Sequence, residues 1–228
     1  MTSLEPPVLA LDGPSGSGKG TVGQRCAQAL GWNYLDSGAV YRALAYTVLK
    51  EDIDINELDR ILKAAREMKF ECRPAPPEPA EIWINGSCAA DDIRGEEMGE
   101  RASHLAANPQ IRSVLLDLQW DARRMPGLVA DGRDMGTVVF PGAILKIYLI
   151  ATPEERARRR YNQLKLKAFD VSLAALFQAI QVRDARDSER GVSPLAAADD
   201  AVTIDSSDLS IDEVVSRTLD LLHNRLDI

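Results

Sequence analysis

Cysteine is scarce, and the cysteines present do not pair. Cys26, Cys72 and Cys88 are odd in number and show no CxxC spacing, which excludes a disulfide framework or a zinc ribbon and predicts reduced, structural thiols. His104 and His223 are the two histidines; they lie far apart without metal-ligand spacing, so neither a histidine-held metal nor a histidine base is expected. No segment approaches roughly 18 uninterrupted apolar residues, the length a membrane helix requires. The stretch from Met1 to Gly13 has no basic start, contains Glu5 and holds a short apolar run, so no secretory signal is expected and the predicted location is the cytoplasm. Positive charge is also in deficit, with 27 Lys and Arg against 35 Asp and Glu, a formal charge of -8. That balance opposes long-range attraction to nucleic acid or an anionic membrane, so any anionic ligand must be held by local basic clusters. The acidic total likewise disfavours an RNA-binding module.

What is present is alternation. Short apolar runs at Val8 to Leu11, Asn33 to Leu35, Leu128 to Ala130, Ile144 to Ile150 and Ala201 to Ile204 read as strands. Longer amphipathic stretches at Lys19 to Leu30, Ser37 to Leu49, Ile55 to Met68, Pro109 to Arg124, Pro153 to Leu166, Leu173 to Arg190 and Ile211 to Arg225 read as helices. This order predicts an α/β fold, a parallel sheet covered by helices on both faces. The 228 residues fit one domain, with a core over about 1–68 and 109–228 and an insert over about 69–108. Within the insert, Lys69 to Ala90 reads as strand, proline-rich loop (RPAPPEP), strand (EIWIN), Asn85-Gly86 turn and short strand, a small antiparallel unit. Ile82, Trp83 and Ile84 would be costly to leave in water. No pattern of assembly is visible, and a monomer is expected.

Between the first strand and the first helix stands Gly13-Pro14-Ser15-Gly16-Ser17-Gly18-Lys19-Gly20-Thr21. A glycine-rich loop in that position turns backbone N–H groups toward a phosphate, the helix N-terminus adds positive potential, and Lys19 supplies a cation. The nine residues therefore form the candidate ATP-binding loop of a P-loop NTPase fold. One position departs from the usual GxxxxGK[ST] pattern: Gly20 stands where a hydroxyl normally follows the lysine. Gly20-Thr21 shifts the reading away from GTPases and motor ATPases, as does the absence of an NKxD pattern, and resembles the loop of nucleoside monophosphate kinases. It leaves Ser17, Thr21 and water as alternatives in the shell of the magnesium ion that accompanies ATP.

Two further segments follow strands. Asp36-Ser37-Gly38-Ala39-Val40-Tyr41-Arg42 opens a helix, with Ser37 as the expected N-cap and Arg42 about one and a half turns along, in reach of a second phosphate. Asp131-Gly132-Arg133-Asp134-Met135-Gly136 places two carboxylates and an arginine at the sheet's carboxyl edge, where ligands of α/β folds bind. Asp131, directly after the apolar run, is positioned to orient metal-bound water. Taken with RDARDSER from Arg183 to Arg190, the segments GPSGSGKGT, LDSGAVYR and DGRDMGTVVFP resemble bacterial-type cytidylate kinases across essentially the whole chain.

That resemblance implies ATP-dependent phosphorylation of CMP, and of dCMP, with the insert in the monophosphate-binding region. It implies CMP contacts from Ser103, Arg112 and Asp134 to the base, from Arg42 and Arg133 to the acceptor phosphate, and from Ser37, Arg183 and Asp187 on the ribose side. Cytosine offers an amino donor to a carboxylate and acceptors to an arginine; uracil would turn a carbonyl toward Asp134. Lys19, Arg133, Arg159 and Arg190 are the implied catalytic cations.

The region from Pro153 to Arg190 carries nine basic and six acidic residues, a net +3 that leaves -11 for the rest. Arg183, Arg186 and Arg190 share helical spacing with Asp187, and Arg156, Arg159 and Arg160 form a similar set. Phosphoryl transfer needs converging positive charge, so residues about 155–190 read as an arginine-rich lid around Asn162 to Ser172 that excludes water. Residue reading leaves two rivals open: a P-loop kinase for another monophosphate or small acceptor, and a non-catalytic nucleotide-binding regulator.

Overall fold

The computed structural model describes residues 5–89, 91–166 and 171–226. Ala90 of the insert and Lys167 and Asp170 of the lid charges lie outside them. In chain order the elements are β1 (Val8–Asp12), α1 (Lys19–Leu30), β2 (Asn33–Asp36), α2 (Ser37–Lys50), α3 (Leu58–Glu67), β3 (Phe70–Ala75), β4 (Glu78–Ile84), β5 (Ser87–Cys88), α4 (Glu96–Leu105) and α5 (Pro109–Trp120). There follow β6 (Leu128–Asp131), a π-helical turn (Met135–Val139), β7 (Leu145–Ile150), α6 (Pro153–Leu166), α7 (Leu173–Ser188), β8 (Val202–Asp205) and α8 (Ile211–Leu226).

Among the described residues the main sheet has five strands in the order β2-β6-β1-β7-β8, all parallel. All five residues of β1 and all four of β6 are buried; a strand hidden on both faces needs cover on both. α1 and α2 pack on β6, and α8 packs on β7 and against α1, while α3 and α5 extend the α2 layer. Leu9, Leu11, Leu128, Leu145 and Ile147 are among the fully buried side chains at the centre. The chain crosses from β1 over β6 to reach β2, and at such a crossover α/β folds place a ligand crevice at the carboxyl edge of the sheet.

The expected strands form, with one informative change. β1, β2, β6 and β8 each run one residue further than the apolar pattern and end on an aspartate: Asp12, Asp36, Asp131 and Asp205. Parallel register sets Leu11 opposite Asp131, and Asp131 opposite Asp36, so carboxylates gather at one edge by backbone pairing alone.

Helix ends differ more. The helix expected from Ile55 starts at Leu58, because Asp54 accepts from the Asn56 amide at 2.8 Å and Glu57 reaches back to the Asp54 amide at 3.1 Å. A side chain that satisfies the backbone locally competes with helix. The helix expected to reach Arg124 ends at Trp120. The last lid helix stops at Ser188 rather than Arg190, so Arg190 lies beyond the helical face assigned to it and instead donates to the Asp187 carbonyl at 3.3 Å.

The insert is antiparallel in the order β3-β4-β5. Its proline-rich loop is shorter than expected, since Pro74 and Ala75 belong to β3 and Glu78 and Pro79 to β4. A register shift between Arg73 and Ala75 accommodates the prolines, which cannot donate to a ladder. Ile82 and Ile84 face inward, whereas Trp83 lies under the Arg73 guanidinium, 4.7 Å from its ring centroid. Asn85 and Gly86 have φ of 50° and 81°, the left-handed pair a two-residue hairpin turn needs.

Candidate active site

The loop after β1 has the backbone that phosphate cradling demands. Gly13 has φ +144°, and a Cβ there would sit 2.0 Å from the Leu149 carbonyl oxygen of β7, so a side chain cannot be admitted. Lys19 opens α1, buried, with its Nζ donating to the Pro14 carbonyl at 2.9 Å across the loop. Burial and the neighbouring Arg133 push its ammonium down to about 7, against the pull of Asp131 and Asp12. Burial likewise pushes the Asp131 carboxyl up to about 7, against Lys19. The Ser17 hydroxyl is fully buried and makes no hydrogen bond among the described residues. Thr21, by contrast, is exposed on α1.

These values make ATP binding a proton-coupled event. A polyphosphate beside Lys19 favours its protonated form. Because burial holds the Lys19 ammonium below its ordinary range, ATP binding at alkaline pH is expected to take up protons. Calorimetry in two buffers of different ionisation enthalpy measures this directly; a binding heat independent of buffer would remove Lys19 from the phosphate site.

Arginines of the lid hold the loop from outside. Arg156 is 3% exposed and forks onto Asp184 of α7 at 3.0 and 2.5 Å, while also donating to the Ser15 and Ala151 carbonyls. It is therefore a clamp between α6, α7 and the loop, not one of the lid set converging on phosphate; its partners lie 28 and 141 residues away, which helical spacing cannot reveal. Arg159 donates to the Ser17 carbonyl at 3.2 Å and to Ser206, with Glu155 on its Nε at 2.9 Å. Ser206, itself 2% exposed, donates to the Ser17 carbonyl at 3.0 Å. Removing one partner of a buried ion pair leaves an uncompensated charge, so Arg156→Ala is expected to cost about 3 kcal/mol or more. That corresponds to roughly 6–12 °C in Tm for a chain of this size, readable by thermal denaturation; a shift under about 2 °C would show the pair to be dispensable.

The second group of residues lies across the crevice. Arg112 of α5 pairs with Asp134, both nearly buried, and its guanidinium stands over the Tyr41 ring at 5.7 Å. Arg133 Nε donates to Asp187 at 2.8 Å. Burial opposes both charges of that pair, but the surrounding opposite charges together outweigh it: Asp187 is held below the usual carboxylate range with Arg133 as its main partner, and Arg133 is held up with Asp187 as its main partner. Arg183 and Arg190 act on Asp187 as well, and Arg190 feels Arg112, Asp134 and Arg133. The Arg190 Nη2 is buried without a hydrogen bond among the described residues. Lys19, Asp131, Arg112, Arg133, Asp134, Arg183, Asp187 and Arg190 thus form one continuous electrostatic cluster.

Three further expected contact residues lie on α2 and α4, and one expected cap differs. Asp36, not Ser37, caps α2, accepting from the Ala39 amide at 2.9 Å. Ser37 is the first helical residue, and its buried hydroxyl donates to Gln119 Oε1 at 2.8 Å; the carboxylate is the stronger acceptor for an N-terminal amide. Arg42 donates to the Ile93 and Gly95 carbonyls at 2.8 and 3.0 Å, which ties α2 to the start of α4. Ser103 is half-buried on α4. Sequence reasoning missed Gln119, which joins Ser37 to Tyr41, Tyr34, whose hydroxyl donates to Asp131 at 3.2 Å, and Asp12. Each is a polar residue in an apolar stretch, the one signal that could have marked them.

Among the described residues no group of three or more His, Cys, Asp or Glu side chains could hold a metal, and no helix is long and apolar enough to cross a membrane.

Comparison with known proteins agrees with this geometry. Residues 9–224 match the family description "Cytidylate kinase". The chain is 52% identical over 218 residues to the cytidylate kinase of Methylococcus capsulatus, covering 96% of this chain and 97% of that one. It is 47% identical over 221 residues to the cytidylate kinase of Nitrosomonas europaea, covering 97% of each. An uncharacterized protein from Eubacterium ventriosum has a similar fold, with a TM-score of 0.51, 11% identity and coverage of 96% and 98%.

Proposed function

The chain belongs to the cytidylate kinase family and is an ATP-dependent nucleoside monophosphate kinase acting on CMP; from that premise we propose how its residues divide the reaction, with dCMP as a second acceptor. The observation that carries this reading is a pair of buried polar atoms without partners among the described residues: Ser17 Oγ in the loop and Arg190 Nη2 in the cluster across the crevice. A buried group of that kind costs about 1–3 kcal/mol, and the phosphates of the two nucleotides would supply the missing partners.

In this reading Gly13 to Thr21 holds the ATP phosphates with backbone amides, and Lys19 exchanges the Pro14 carbonyl for a phosphate oxygen. The Arg112–Asp134 pair reads the cytosine edge beside Ser103. Arg42, Arg133 and Arg190 hold the acceptor phosphate, and Ser37, Arg183 and Asp187 serve the ribose side. Arg159, anchored to the loop through Ser17 and Ser206, faces the transferring group as the lid closes. The acceptor is an ionised phosphate, so transfer proceeds in line without a general base, and positioning and charge supply the acceleration.

Magnesium fits these residues. The unpartnered Ser17 hydroxyl and the carboxylates of Asp131 and Asp36, paired in register, are hard oxygen donors of the kind it takes. Ser17 would offer a direct oxygen and Asp131 would hold a metal-bound water. The ion, when bound, neutralises charge on the phosphate oxygens. We place the activity in the cytoplasm.

Product analysis with ATP and a panel of monophosphates tests the reading. CMP and dCMP are expected to give their diphosphates; stronger turnover of UMP or AMP would overturn the acceptor assignment.

A further inference from the structure

Asp134 occupies an unusual position for a residue proposed to read a base. It is the N-cap of the π-helical turn Met135–Val139, with φ -146° and ψ 26°, yet its side chain makes no capping bond. Aspartate at an N-cap ordinarily folds back onto the amides that follow it, a contact of about 1 kcal/mol. Here the first two amides of the turn are taken. The two oxygens of Asp12, at the end of β1, accept from Met135 N at 2.8 Å and from Gly136 N at 2.7 Å. Asp12 is 4% exposed and comes from more than 120 residues away.

The fit is tight on both sides. A Cβ on Gly136 would lie 3.3 Å from an Asp12 oxygen and 3.0 Å from the Lys146 chain, so the glycine lets the turn approach the carboxylate. Burial pushes the Asp12 carboxyl up to about 6, and the two amides oppose that rise. Its charged form is costly to bury, and retaining it calls for a task that an apolar residue could not perform.

We propose that Asp12 is a positioning residue for acceptor selectivity: it caps the Met135–Val139 turn from a neighbouring strand, and so releases the Asp134 carboxylate to face Arg112 and the base. Asp12 immediately precedes Gly13, so the residue that frees the base-reading side chain stands at the strand end from which the phosphate loop departs. Without Asp12, the free Met135 and Gly136 amides draw Asp134 back onto its own turn. The inference rests on the assignment of Asp134 to the cytosine, and the experiment separates the two.

Asp12→Asn keeps the shape but presents an NH2 to one of the two amides. It is expected to raise the KM for CMP and to lower the CMP-to-UMP ratio of kcat/KM, each about tenfold or more, while the Kd for ATP changes less than threefold. Asp12→Ser, smaller and uncharged, carries the same expectation should the asparagine variant fail to fold. In an Asp134→Ala background, Asp12→Asn is expected to lower the ratio no further. Loss of thermal stability with KM for CMP and the ratio unchanged would reduce Asp12 to a structural cap and overturn the proposal. If Asp134→Ala alone leaves the ratio intact, it is the Asp134 assignment that fails.

Discussion

Lys19→Ala is expected to lower turnover by about a thousandfold or more while the protein remains folded. Among the described residues the Lys19 ammonium makes one hydrogen bond, to the Pro14 carbonyl, and that carbonyl belongs to a loop already held by Arg156 through Ser15 and by Arg159 and Ser206 through Ser17. The loop therefore does not depend on the lysine for its shape. Nor does the fold depend on its charge. Burial pushes the Lys19 ammonium down from its ordinary range, so the unfolded chain binds that proton more strongly, and the contribution of Lys19 to stability rises with pH where only the unfolded form is protonated. Deleting the side chain removes this penalty and leaves Asp131, itself pushed up to about 7, to protonate. Turnover and melting temperature measured on the same preparation check both halves. A rate within tenfold of the parent would show that the loop binds phosphate without help from Lys19.

Much of this could be read from residue patterns because the relevant physics is local. An apolar run into Asp12-Gly13 and then glycines into Lys19 dictates strand, loop and helix from neighbouring residues alone, and the structure follows within one residue. Asn85-Gly86 likewise dictates its turn. What escaped is what needs a partner distant in sequence. Arg156, Arg159 and Arg160 look equivalent as spaced basic residues, yet Arg156 is committed to Asp184 and to the loop. Asp36 and Ser37 are both good caps by type, and Gln119, reached through the packing of α5 on α2, decides between them by occupying the serine. Asp12 stood just past the apolar run Val8 to Leu11; its function as a cap for Met135–Val139 exists only once β1 and β6 are neighbours.

Asp134→Ala is expected to erode the preference for CMP over UMP by roughly 10- to 100-fold, with little change in ATP binding. The carboxylate is about nine-tenths buried or more and pairs with Arg112, so neither charge is shielded by bulk water, and loss of one partner is felt by the other. For CMP the substitution deletes the acceptor of the exocyclic amino group, a charge-assisted bond of about 1.5–3 kcal/mol. For UMP it deletes a repulsive acceptor facing the uracil carbonyl, and Arg112, freed from its partner, can donate to that carbonyl instead. The two substrates therefore move in opposite directions, which a general loosening of the site would not produce. Asp134→Asn sharpens the test: an amide can turn its NH2 to uracil, so this variant should favour UMP more than the alanine does. The ratio of kcat/KM for the two monophosphates is the measurement, and equal losses for both would remove Asp134 from base discrimination while leaving the phosphate loop assignment untouched.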